Sequence, residues 1–227
     1  FFETMLRTYR SGMYLFLFLN ILLICLICFA LSIFTGLSFF LYCYELASES
    51  TFFVKSFILS FGLVFSMAIS SLTLLFVTAF FNWINPFKVK PWRGSWYSLE
   101  GIPWFYHNAL FYLVRYTILN LIVPSPFATM YFRMMGMKIG KGVVINTSNI
   151  SDPCLITIED HATIGGSATL LGHYGQKGVL ILGKVLIRKG AMIGLKASIF
   201  GDVEIGENAS VAPHEVVLPK SKIMNGF

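Results

Sequence analysis

Val185-Leu-Ile-Arg-Lys-Gly-Ala-Met-Ile-Gly-Leu-Lys-Ala-Ser-Ile-Phe-Gly-Asp-Val-Glu-Ile205 returns an isoleucine at Ile187, Ile193, Ile199 and Ile205, always at the sixth position. The phase extends in both directions. It holds at Ile139 and Ile145, again at Ile158, Ile164 and Leu170, and from Ile181 onward through Val211 and Val217 to Ile223. Two positions earlier stands a small or branched residue, as at Ala162, Ala168, Val185, Ala191, Ala197, Val203 and Ala209, and glycine follows at Gly140, Gly165, Gly194 and Gly206. A period of six fits neither an amphipathic helix nor the alternation of a half-buried strand. It fits a three-sided prism, one hexad per face, with the aliphatic side chain on the axis and the small residue at the corner. A single coil cannot bury its own apolar edge, so coils must stack.

The rest of the chain is of a different kind. Hydrophobic residues make up 56% of its 227 residues, 23 of them Phe, and the mean hydropathy is +0.72, above the soluble norm. The Phe concentrate before residue 132, which points to lipid. The formal charge of +6 is scattered, with no basic run interleaved with stacking aromatics, so nucleic acid is not an expected partner. Four cysteines make no disulfide framework. Cys25 and Cys28 have redox spacing but lie among Leu and Ile, where a reduced, packed pair is expected. No His or carboxylate cluster has metal-ligand spacing, and no metal is expected.

Residues 12–44 carry no charge and residues 52–81 carry only Lys55, near the start, where it can snorkel. Each is long enough to cross a bilayer. A signal peptide would be shorter and would end at a small-residue cleavage site. Arg7 and Arg10 precede the first segment, Glu45 and Glu49 lie between the two, and Lys88, Lys90 and Arg93 follow, so the positive-inside rule puts both ends in the cytoplasm. The initial Phe reads as the start of a fragment.

Trp83, Trp92, Trp96, Tyr97 and Trp104, mixed with basic residues, are expected along the membrane surface. Residues 105–123 are apolar but interrupted by His107, Asn108, Arg115 and Asn120. That pattern suits an interfacial helix better than a third span, ended by Pro124 and Pro126. The expected layout is a two-span hairpin over 1–85, an aromatic-rich helical linker over 86–136 and the prism over 137–227.

The hexads resemble the left-handed β-helix of the hexapeptide-repeat acyltransferases. The left hand comes from that resemblance, because crossovers between parallel strands are ordinarily right-handed. The two spans, Pro91-Trp-Arg-Gly-Ser-Trp96 and the lead-in Arg133-Met-Met-Gly-Met-Lys-Ile-Gly140 further resemble the C-terminal region of polylysine-synthetase-like peptide synthetases. The hexads break at Leu171-Gly-His-Tyr-Gly-Gln-Lys-Gly178, a loop that lifts an imidazole off a rigid corner. The resemblance makes His173 the general base. It gives Asp152 one of two roles, orienting His173 or binding the acceptor, although Asp before Pro is also a favoured turn residue. Asn146 is a further acceptor-binding candidate. His161 reads as a surface residue, His107 as an interfacial one, and His214 as a departure from the family's small corner residue.

For the donor, acyl-CoA or acetyl-CoA, the resemblance implies a groove between neighbouring prisms of a homotrimer or pseudo-trimer. Gly194 and Ala212 would lie along the pantetheine arm and Lys220 would meet a CoA phosphate. The ending Asn225-Gly-Phe departs from the family and leaves the rim of that site open. No dinucleotide, phosphate-loop, zinc-protease or nucleophile-elbow motif stands in a fitting context. The expected function is transfer of an acyl group to a hydroxyl or amine of a glycan or peptide-like acceptor. The alternatives are a silent trimerising or docking module and a carrier-dependent domain that joins amino acids.

Overall fold

The computed structural model describes residues 2–96 and 98–224, with side chains from residue 12 onward. Tyr97, the side chains of Arg7 and Arg10, and Asn225-Gly-Phe therefore lie outside the described residues. Backbone contacts divide the chain into two units, residues 1–81 and 82–227.

The first unit is a helical hairpin. Helix α1 runs Phe2–Leu46, and α2, whose last turn belongs to the second unit, runs Phe52–Ile84. Their seam is built from small residues. Ser32 Oγ donates to Ser70 O at 2.6 Å, Thr35 and Thr73 hydroxyls meet at 2.9 Å, and a Cβ at Gly36 would sit 2.5 Å from Ser66 O. Close backbone approach of this kind is how helices associate where surrounding lipid is as apolar as their side chains. Both helices are long and apolar enough to cross a bilayer, and only 17% and 28% of their most apolar stretches are buried. Cys25, Cys28, Cys43 and Cys154 are all free thiols.

The second unit holds the prism. Three parallel sheets form its faces, each coil giving one strand to each. The first face stacks β2 (Lys138–Ile139), β5 (Ile156–Ile158), β10 (Val185–Ile187), β13 (Val203–Ile205) and β16 (Lys222–Ile223). The second stacks β3 (Val144–Ile145), β6 (Thr163–Ile164), β11 (Met192–Ile193) and β14 (Ser210–Val211). The third stacks β4 (Ile150–Ser151), β7 (Thr169–Leu171), β12 (Ser198–Ile199) and β15 (Val216–Val217). The register aligns the aliphatic row as the hexads require. Ile139, Ile158, Ile187, Ile205 and Ile223 pair in succession on the first face, and Ile150, Leu170, Ile199 and Val217 on the third. Ala162, Ala168, Ala191, Ala197 and Ala209 are fully buried beside the corners.

After most axial aliphatics, though not after Ile145 or Leu170, the third residue turns the corner in a left-handed conformation. His161, Ser167, Lys196, Asp202, Asn208, His214 and Lys220 all have φ between 54° and 67°, and Gly142 and Gly190 fill equivalent places. The fold is a left-handed β-helix.

Ile181 is a correction. Although in phase, it belongs to β9 (Val179–Leu182), which leaves the prism in an antiparallel sheet with β8 (His173–Gln176) and β1 (Trp92–Ser95). The regular run therefore begins in β10.

Residues 86–136 pack into the same unit as the prism. Helix α3 (Ile102–Val114) continues through a π-helical turn, Arg115–Leu119, into the short α4 (Asn120–Ile122), and α5 (Pro126–Met134) follows with Ser125 as its cap. Phe111 of α3 stacks on Tyr131 of α5 at 5.8 Å and 9°. The polar residues that interrupt α3 do not seek headgroups. His107 and Asn108 are buried, and Arg115 donates to Ile150 O and Asn149 Oδ1. Of the tryptophans, Trp104 is buried with Leu155, Leu180 and Leu182, with Trp92 and Trp96 packed against them. These three tryptophans line a core, while Trp83 is exposed.

Candidate active site

The prism opens twice at the corner that follows the third face. The first opening comes after β4, where Asp152 takes a left-handed conformation (φ 59°, ψ 50°) and Pro153–Leu155 forms one 3-10 turn. The second comes after β7, one coil further along. There Gly172 lies so close to the first opening that a Cβ on it would sit 2.9 Å from Asp152 Cβ and 3.0 Å from Leu155 Cβ. Absence of a side chain at 172 lets the chain leave the prism directly over Asp152.

Beyond Gly172 the chain forms a hairpin rather than the loose loop expected. Strands β8 and β9 pair antiparallel through Lys177-Gly178, both with positive φ, the geometry of a two-residue turn that matches strand twist. Strand β1 pairs on the far side, so His173 faces Leu182 and Leu182 faces Trp92. His173 is thus fixed at the base of a three-stranded sheet.

His173 Nδ1 lies 2.6 Å from Asp152 Oδ2. The Asp152 side chain is fully buried and the His173 side chain is 19% exposed. The other carboxylate oxygen, Oδ1, accepts from Trp104 Nε1 at 2.6 Å and Asn108 Nδ2 at 2.8 Å. An ionised carboxylate can only accept, which makes Nδ1 the donor of this bond. The Trp104 indole stands edge-on to the imidazole, ring centres 5.1 Å apart and planes at 71°.

His173 opens onto a cavity of about 630 Å³, within the size range of small-molecule sites. Trp96, Tyr174, Phe200, Leu218 and Pro219 give it a largely apolar wall, and Lys220 brings one cation. Tyr174 is fixed by donating its hydroxyl to Asp202 Oδ2 at 3.2 Å. Burial and that carboxylate hold its phenol above the usual range.

Of the sequence-derived candidates, Asp152, His173 and Lys220 come together at this corner. Asn146, Gly194 and Ala212 do not: they follow strands of the second face, at the preceding corner. Asn146 N donates to Ile164 O, and Gly194 N to Val211 O. A Cβ on Gly194 would sit 2.5 Å from Pro213 N, so stacking of the coils alone requires glycine there. His161 and His214 are exposed corner residues.

Trp104 and Asn108 were missed as site residues because the apolar run around them reads as a membrane-facing helix. The usable signal was an adjacent polar pair, His107-Asn108, which an interfacial position does not require. His107 Nδ1 meets Asn82 Oδ1 at 2.9 Å, its Nε2 is buried without a hydrogen-bond partner, and burial lowers its pKa to about 4. Cys154 lies in the Asp152 turn, where burial first and the Asp152 charge second push its thiol up to about 12. Among the described residues no group of three or more His, Cys, Asp or Glu is placed to hold a metal ion.

Similar folds among solved structures are hexapeptide-repeat acetyltransferases. One, from Vibrio cholerae O1 biovar eltor and complexed with acetyl coenzyme A, has a TM-score of 0.39 at 18% identity, over 52% of this chain and 82% of that one. The serine acetyltransferase of Neisseria gonorrhoeae gives 0.32 at 18% identity, over 82% of this chain and 73% of that one. In sequence, the chain is 26% identical over 135 residues, 57% of its length, to the delta-poly-L-ornithine synthetase of Acinetobacter baumannii (strain AB307-0294). The match spans 10% of that protein. No protein-family model matches the chain.

Proposed function

We propose that this chain is a membrane-anchored acyltransferase that moves an acetyl or other acyl group from acyl-CoA to a hydroxyl or amine of a glycan or peptide-like acceptor. The observation that carries this reading is the 2.6 Å bond between His173 and a fully buried Asp152 at the edge of a cavity. His173 Nε2 takes the proton from the acceptor O–H or N–H as that atom attacks the thioester carbonyl. The resulting tetrahedral adduct collapses with cleavage of the C–S bond, and His173 returns the proton to the departing thiolate. Lys220 contributes a positive charge for an anionic group of the donor. Asp152 orients the imidazole through its bond to Nδ1.

The test is acyl transfer by His173→Ala at saturating acyl-CoA. Loss of general-base assistance lowers the rate by ~10²–10⁴-fold, with donor binding retained. Turnover near that of the wild type would reject the assignment.

The likeness to the polyornithine synthetase favours a second reading, in which the thioester is an amino acid held on a carrier domain. The same His173 chemistry then forms an amide. Transfer from a carrier-bound aminoacyl thioester, with none from acyl-CoA, selects it. A wild-type chain that consumes neither thioester would be a docking module.

A further inference from the structure

We propose that Trp104 and Asn108, two residues of helix α3 outside the prism, are positioning residues that hold Asp152 so that His173 keeps its proton on Nδ1. The proposal rests on the acyltransferase reading for its kinetic consequence, but its geometry stands independently. Asp152 is fully buried and accepts three hydrogen bonds, from His173, Trp104 and Asn108. Two of the three donors come from α3.

The Asn108 amide has one orientation that satisfies its neighbours. Ser151 Oγ donates to Asn108 Oδ1 at 3.0 Å, which turns Nδ2 toward Asp152 and toward Trp104 O at 3.1 Å. Tyr112 OH, 2.9 Å from Ser151 Oγ, supplies the donor that fixes the serine hydroxyl. A directed chain therefore runs from Tyr112 through Ser151 and Asn108 to the Asp152 carboxylate. The Trp104 indole serves that carboxylate and also lies edge-on to the imidazole, so one ring limits the motion of both partners.

Removing these donors would leave a buried carboxylate with one bond, an expensive arrangement. The group can relieve it by taking up a proton and becoming a donor. A protonated carboxyl donates to His173 Nδ1, which moves the imidazole proton to Nε2. Nε2 then has no lone pair for the acceptor proton, and the base is lost with the ring still in place. The lead-in helices are on this account part of the active site, and a bare prism of residues 137–227 lacks two of the three donors to Asp152.

The experiment uses the full chain extracted in detergent, with ¹⁵N-labelled histidine, and the variants Trp104→Phe, Asn108→Leu and both together. The His173 resonances are identified by their absence from His173→Ala. We expect each variant to move His173 toward the Nε2–H tautomer and to lower kcat roughly 10- to 100-fold, the loss of one hydrogen bond to a charged group, with KM for the thioester within about 2-fold. Phe105→Leu removes packing from Trp104, whose ring lies 4.8 Å away, without removing a donor, and keeps the wild-type tautomer and kcat. Retention of the Nδ1–H tautomer in both single variants overturns the proposal, as does an equal loss in Phe105→Leu. If the wild type transfers from no thioester, the acyltransferase reading fails, and the tautomer alone still decides whether α3 holds Asp152.

Discussion

His107 is a buried titratable side chain that the proposed chemistry leaves idle, and its position has a consequence for stability. Asn82 Oδ1 can only accept, so Nδ1 donates and the lone pair on Nε2 is buried with nothing to satisfy it. Protonation would supply a donor there, but burial opposes the charge. That penalty outweighs attraction from Asp152, and Lys88 adds to it, so the folded pKa falls to about 4 from 6.5. Above pH 6.5 His107 is neutral in both folded and unfolded chains and contributes no pH dependence. As the pH falls from 6.5 toward 4 the unfolded chain binds a proton that the folded chain refuses, and stability drops by up to roughly 3 kcal/mol. His107→Leu is therefore expected to flatten the acid side of the stability curve in that window, measured as denaturation midpoint against pH. An unchanged slope would show that His107 is charged in the folded chain or is not the titrating group. The sequence showed His107 as a polar break in an apolar run. Burial against a neighbouring helix end leaves no mark in such a run, because lipid and protein interior select the same apolar residues.

Regular elements were legible where their period was unusual. Hexads identify the prism, its axial row and its faces because every coil repeats the same physical demand, an aliphatic on the axis and a small residue at the corner. The hairpin that carries His173 was legible only as an interruption. Ile181 keeps the phase by coincidence of length, and the Lys177-Gly178 turn lacks the Asn or Asp that would have advertised it. Its third strand, β1, lies some eighty residues earlier in the sequence, and no local pattern records a pairing at that distance. Asp152 was legible as a residue but not in its role, since an Asp-Pro turn and a dyad carboxylate look alike in sequence. Geometry separates them: the Asp152 side chain faces inward to three donors, whereas a solvent-facing turn Asp would bond its own backbone. The tryptophans around residue 92 read as a membrane-surface belt for a related reason. An aromatic girdle and an aromatic core draw on the same side chains, and only the pairing of β1 with β9 brings Trp92 beside Leu182.

At the scale of the whole molecule, charge and the spacing of the corners make predictions about anchor and assembly. Arg7 and Arg10 precede the two apolar helices and Lys88, Lys90 and Arg93 follow them, so if both helices span, the positive-inside rule predicts a prism that faces the cytosol. Protease added outside sealed, right-side-out vesicles should leave residues 139–227 intact, and cleavage there would reverse the orientation. His173 and Lys220 occupy one corner of the prism, and Asn146, Gly194 and Ala212 another. If both corners serve one reaction, a second prism must supply one of them, and a closed threefold ring satisfies every corner alike. We therefore expect a homotrimer, or a pseudo-trimer if further prisms belong to the same polypeptide. Native mass measurement of the detergent-extracted, active complex reads the count. Co-expression of His173→Ala with Ala212→Phe tests the shared site, because each variant alone blocks all three sites while a mixed trimer retains some with an intact residue from each protomer. Recovery of transfer only in the mixture supports sites between protomers. An active monomer, or Ala212→Phe as active as the wild type, would place the whole reaction at the His173 corner of a single chain.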